Sequence, residues 1–132
     1  MALIKSRLES AALITTAPKK LGTEVLMTRI SFLYPNRKDA RFDIDSYVEE
    51  HMSSSIALLS AHPCFKRVSV ERGVSGGAPG LGPAYVAVCH FLFESLNDFM
   101  AAVTLNLAAL QAEKNYTDLE PTFQVSEVPI CR

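Results

Sequence analysis

The 132-residue chain lacks an excess of either charge: 13 Lys and Arg face 14 Asp and Glu, for a formal net charge of −1. A nucleic-acid binder would normally carry a basic stripe or patch, and that class is excluded. The basic pairs Lys19-Lys20 and Arg37-Lys38 read as solvated surface. No run is long and apolar enough to cross a bilayer, so no membrane role is expected. Only three cysteines occur, Cys64, Cys89 and Cys131, without CxxC spacing. They define neither a disulfide framework nor a zinc site, and no metal is expected. A reduced, cytoplasmic setting is the simpler inference. Internal repeats and low-complexity segments are also missing.

What remains is an ordinary globular balance, 48% hydrophobic and 20% charged, at a length that suits one domain. Residues 1–22 stand apart. Lys5, Arg7, Lys19 and Lys20 outnumber the single acid Glu9, and the short apolar stretch Ala11 to Ala17 holds two threonines. That stretch is too weak for a secretory signal. An extension, flexible or packed on the domain, is expected, with an organelle transit peptide as the alternative. The domain proper is taken as residues 23–132.

From Glu24 onward the hydrophobic period switches regularly. Val25 to Tyr34 is rich in β-branched and aromatic residues and reads as a strand ended by Pro35. Asp43 reads as a helix N-cap. Ile44, Tyr47, Val48, His51, Ser55, Leu58 and Leu59 follow at spacings of three and four, one face of an amphipathic helix broken at His62-Pro63. Phe65 to Gly73 alternates as a second strand, and Gly73 to Pro83 is a Gly/Pro-rich connection. Ala84 to Phe93 is a third strand. Ser95-x-x-Asp98 caps a second helix whose inward stripe is Phe99, Val103, Leu107 and Leu110. Asn115 to Asp118 turns the chain into a fourth strand, Thr122 to Val128. The order βαββαβ predicts an α+β ferredoxin-like sandwich, two helices on one face of a four-stranded antiparallel sheet.

Two helices cover only one sheet face, yet both central strands look apolar on both sides. In the third strand Val86, Val88, His90 and Leu92 oppose Tyr85, Ala87, Cys89, Phe91 and Phe93. A bare apolar face would exceed what monomers usually expose. A homodimer that buries about 800 Å² per partner is therefore expected. The alternative cover is the N-terminal extension folded back.

These residues resemble the EthD family, named for ethyl tert-butyl ether degradation. Ser31 to Pro35 looks like its first strand; Phe42-Asp43, Tyr47 and His51-Met52 look like its first helix. Val70 to Gly73 with Gly76 to Gly80 is similar to its second strand and loop, and Asn115 to Asp118, Glu120-Pro121 and Gln124 to Glu127 to its C-terminal signature. The likeness spans Glu24 to Val128. One departure is Ser53, where the family has proline after His-Met. The resemblance implies a dimeric α/β barrel. Its members include fungal decarboxylases and dehydratases of aromatic polyketide intermediates, and others that accompany monooxygenase systems.

His51 is the leading catalytic candidate. Its ring, with an unperturbed pKa of about 6.5, suits acid/base work in an apolar cleft; a satisfied core histidine is the competing reading. Tyr34 and Tyr47 are the candidates to orient a phenolic or carbonyl oxygen, because a phenol both donates and accepts. Arg72 is the candidate carboxylate binder, and Tyr85, His90 and Tyr116 are further substrate-binding candidates, with His90 alternatively at the dimer interface. The Gly73 to Gly82 loop lacks GK[ST] and precedes a strand, so it is no phosphate cradle. No Gly-x-Ser-x-Gly elbow occurs. Three functions follow: a cofactor-independent lyase or isomerase for a small aromatic or carbonyl compound, a small-molecule-binding accessory protein of an oxidative pathway, or a haem-binding barrel.

Overall fold

Four strands and two helices build the domain in the computed structural model, which describes residues 20–21, 24–106 and 116–130. A two-residue ladder pairs Lys20–Leu21 with Glu24–Val25. The main strands are β1 (Met27–Pro35), β2 (Phe65–Arg72), β3 (Tyr85–Phe93) and β4 (Thr122–Val128). All pair antiparallel in the order β2-β3-β1-β4. That is the ferredoxin-like arrangement expected from the order of elements. Leu107, Leu110, Asn115, Cys131 and most of the 1–22 extension fall outside the described residues. Among the described residues no helix is long and apolar enough to cross a membrane.

Helix α1 runs through Ile44–Ser46, a π-helical turn Tyr47–Met52, and Ser53–Leu59. Asp43 caps it as expected: its backbone is extended and its carboxylate accepts from Ser46 N at 3.1 Å. The π turn corrects one sequence expectation. A wider turn advances the helix face, so the buried pair is Tyr47 and Met52, five residues apart, while Val48 is 42% exposed. The Ser53 N–H and hydroxyl both donate to Val48 O, which holds the wide turn open. Helix α2 (Leu96–Leu105) starts at Ser95, whose hydroxyl accepts from Asp98 N and donates to the Asp98 carboxylate at 2.7 Å.

The core lies between helices and sheet. Ile30, Phe32, Cys89, Phe91 and Phe93 from the central strands meet Leu59, Phe99 and Val103 from the helices. Phe99 sits edge-on to Phe32 and Phe93 at centroid distances of 6.4 and 5.3 Å. Such edge-to-face contacts suit the ring quadrupoles.

The opposite sheet face is more mixed than the central strands alone suggest. Cross-strand register places Arg29, Ser31 and Leu33 of β1 there with Leu92, His90 and Val88 of β3. The flanking strands add Arg67, Ser69 and Glu71 on one side and Thr122, Gln124 and Ser126 on the other. The apolar side chains form a strip only two strands wide, because the outer strands alternate more strictly than the inner ones.

Candidate functional site

At the Pro35 end of β1, four aromatic rings and an imidazole pack together. Tyr34 is the last buried residue of its strand, and its ring lies 4.8 Å from Phe42, 5.7 Å from Tyr47 and 6.4 Å from Tyr116. Tyr47 and His51 come from successive turns of α1, with centroids 5.5 Å apart. Tyr116 stacks on His51 at 5.1 Å and 25°. Its hydroxyl lies 3.2 Å from that of Tyr34, 82 positions away in sequence. The Tyr47 hydroxyl contacts the Cys89 thiol on β3 beneath it.

Short bonds fix Tyr116 in place. Asp43 N donates to Tyr116 O at 2.7 Å, and Phe42 bridges Thr117. The Thr117 hydroxyl donates to Arg41 O at 2.6 Å, and Arg41 N donates to the Asp118 carboxylate at 2.9 Å. The segment entering α1 and the segment before β4 are thereby strapped together. Phe42, not named among the site candidates from the sequence, had a readable signal. It precedes the N-cap Asp43 and meets Tyr47 four places into the helix at 5.2 Å, the hydrophobic staple pattern.

No fixed charge belongs to this cluster, and burial dominates its electrostatics. Burial, reinforced by neighbouring phenols and Cys89, raises the pKa of Tyr34 and Tyr47 well above the usual phenol value. Tyr116 is raised too, by burial, with its bond to Tyr34 working the other way. Burial pushes the Cys89 thiol up to about 12, so it stays a thiol. The His51 Nδ1 is buried. The site is a set of protonated hydroxyl and thiol groups with an imidazole beside them, packed among apolar side chains.

Tyr34, Tyr47, His51 and Tyr116 thus meet, while the other three candidates lie elsewhere. Arg72 ends β2 as an exposed side chain 3.9 Å from Asp45, a surface pair. Tyr85 is 38% exposed at the bulge beside Pro35. His90 lies on the sheet face away from the helices. There its Nδ1 is 2.6 Å from the Ser31 hydroxyl and its Nε2 is 3.7 Å from the Glu71 carboxylate. It serves a different surface.

One group with metal-ligand chemistry occurs among the described residues: ligand atoms of Cys64, Glu94 and Asp98 lie within 4.8 Å of one another. Both carboxylates already have work. Lys66 pairs with Glu94 at 3.0 Å and holds its carboxyl below the usual range, and Asp98 belongs to the cap of α2. The cluster is accounted for as an ion pair and a helix cap.

Fold and site together define a small ferredoxin-like α+β protein with a buried aromatic cluster at one end of its sheet. The chain is 37% identical to an EthD-like protein from Ralstonia eutropha JMP134, covering 81% of this chain and 96% of that one at a TM-score of 0.73. It belongs to the EthD-like family. A proposed monooxygenase from Shewanella loihica PV-4 shares the fold at 13% identity, covering 80% of this chain and 95% of that one at a TM-score of 0.54. No family model and no curated protein matches the sequence.

Proposed function

We propose that this chain is a cofactor-independent lyase or isomerase acting on a small aromatic or carbonyl compound, and that it works as a homodimer. The observation that carries the chemistry is the hydroxyl pair Tyr34–Tyr116, 3.2 Å apart, beside His51 stacked on Tyr116. Phenols with raised pKa values stay protonated at neutral pH and keep a proton to donate. Two such donors in an apolar wall suit an oxygen that gains negative charge as a C–C or C–O bond breaks or a proton leaves carbon. A ligand oxygen would take over the bond the two phenols now make to each other. His51 would move the proton, as its unperturbed pKa near 6.5 allows.

A second reading, a binding protein accompanying an oxidative pathway, is favoured by the closeness of the packing: Tyr34 is 4% and Tyr47 1% exposed. The two separate on one comparison. The purified full chain is incubated with a panel of small phenols, aryl ketones and aryl carboxylic acids, followed by chromatography for turnover and by calorimetry for affinity. An enzyme should convert one class, and His51→Ala should lower kcat by about 10²- to 10⁴-fold with affinity little changed. Ligand binding without product from any member of the panel would favour the binding protein.

A further inference from the structure

The two ends of α1 are anchored one residue out of step. At its start Asp43 N donates to Tyr116 O at 2.7 Å, and the Tyr47 ring meets Phe42, Tyr34 and Tyr116 at 5.2, 5.7 and 4.7 Å. Toward its end Met52, Ser55 and Leu59 are buried, the stripe of an ordinary helix. In a regular α-helix five residues turn through about 500°, so Tyr47 would stand about 140° away from Met52. Val48 would then take the place of Tyr47 over the core.

The wide turn takes up the difference. Before it Tyr47 N donates to Asp43 O at 3.0 Å, and after it Ser60 N donates to Ile56 O at 2.8 Å, each the ordinary α closure. Between them Ser53 N reaches one residue further back, to Val48 O, and the Ser53 hydroxyl donates to the same oxygen at 3.1 Å. A serine hydroxyl inside a helix more often bonds the carbonyl one turn back. Here it reinforces the rarer π closure against the α alternative, in which Ser53 N would donate to Glu49 O.

His51 lies inside that turn. Its ring is 5.5 Å from Tyr47 and 5.1 Å from Tyr116, both of which belong to the first anchor, while its backbone adjoins Met52 of the second. Each residue of a wide turn advances less around the axis than an α residue does. Tightening the turn would therefore swing the imidazole about the helix axis, away from its stack on Tyr116.

We propose that Ser53 is a positioning residue: by giving both of its donors to Val48 O it fixes the wide register of α1 and so keeps His51 stacked on Tyr116, beside the Tyr34–Tyr116 hydroxyl pair. The proposal rests on His51 as the group that moves the proton and adds the residue that aims it. Ser53 is exposed, so it acts through His51 and not on the substrate.

Proton magnetic resonance of the full chain reads this geometry without any substrate. The chain has three histidines, and the His51 Cε1–H signal is the one that His51→Gln removes. Ser53→Ala should move that signal toward the position of an unstacked imidazole, because the Tyr116 ring current no longer acts on it. The signals of His62, beyond the end of α1, and His90, on the other sheet face, should stay in place. Ser53→Thr keeps a hydroxyl and should return the His51 signal to its wild-type position. Ser54→Ala, at the next and also exposed position, raises helix propensity in the same way without touching the bond, and should leave the signal unmoved. On a converted substrate, Ser53→Ala should lower kcat by about ten- to a hundredfold at unchanged KM, and Ser53→Thr should restore it. A His51 signal that stays put in Ser53→Ala, that moves as far in Ser54→Ala, or that Ser53→Thr fails to return overturns the role of Ser53. Displacement of all three histidine signals by Ser53→Ala overturns it too, since Ser53 would then support the whole fold, as does an unchanged kcat despite a displaced His51 signal. A signal that responds as expected in a chain that converts nothing keeps Ser53 as the residue that orients His51 and overturns only the chemistry proposed for that ring.

Discussion

The Tyr34–Tyr116 hydroxyl pair is the best isolated probe of the aromatic cluster. Tyr34→Phe keeps the ring contacts and deletes one partner of a buried hydrogen bond, leaving the Tyr116 hydroxyl without it. The expected loss is about 1 kcal/mol in urea unfolding; a loss above about 3 kcal/mol would mean that the ring packing, not the bond, had changed. A second residue-scale expectation concerns alkali. Burial raises the folded-state pKa of Tyr34, Tyr47 and Tyr116 above the unfolded value of about 10. A raised pKa means that the neutral ring is the stabilising form. That stability is fully present below about pH 10 and is lost as the pH climbs toward the folded-state values. Phenolate absorbance and far-ultraviolet ellipticity, followed together, should show these three rings ionising only as the fold collapses. Complete ionisation of all four tyrosines at unchanged ellipticity would show that the cluster is not buried.

Elements whose cause is local were legible in the sequence, and elements shaped by packing were not. The caps at Asp43 and Ser95 and the bounds of β4 could be read because capping chemistry and alternation act within a few residues. The π turn could not, since nothing in Tyr47–Met52 marks an i→i+5 closure; Ser53 reaching back to Val48 O decides it against the sheet. Hence Val48 was placed on the inward face and Met52 was left off it. Tyr47 and His51 were readable as neighbours by helical spacing, whereas Tyr34 and Tyr116 meet only through the strapping of residues 41–43 to 116–118. The connection between β2 and β3 was read as a turn, and its tightness is the structural addition. A Cβ on Gly73 would lie 1.9 Å from Tyr85 O and 2.8 Å from Pro83 Cβ. Because backbone cannot yield as a flexible side chain can, Gly73→Ala should cost about 1–3 kcal/mol or more by urea unfolding. Gly77, at φ 89° with open space around its Cβ position, should lose less on Gly77→Ala, through backbone strain alone of about 1 kcal/mol. Equal losses at the two sites would contradict the close approach of Gly73 to β3.

For the molecule as a whole, the sheet has one thoroughly apolar face and one with a narrow apolar strip between polar edges. The first face is closed by the helices within a single chain, as Phe99 against Phe32 and Phe93 shows. Leu33 and Val88 on the second face are only half-buried, as strip residues awaiting a cover would be. If a second copy supplies that cover, folding and association are linked, and stability must depend on protein concentration. Raising the concentration of a protein that unfolds from a dimer shifts its equilibrium by mass action, whereas a chain that covers the strip with its own residues gains nothing. Thermal unfolding at pH 7.5 should therefore show a Tm that climbs by several degrees over a hundredfold rise in concentration, with each tenfold step contributing about 1.4 kcal/mol of dimer stability. A wild-type Tm that is flat from micromolar concentrations upward would assign the cover to the same chain and leave the aromatic site as the property of a single protomer.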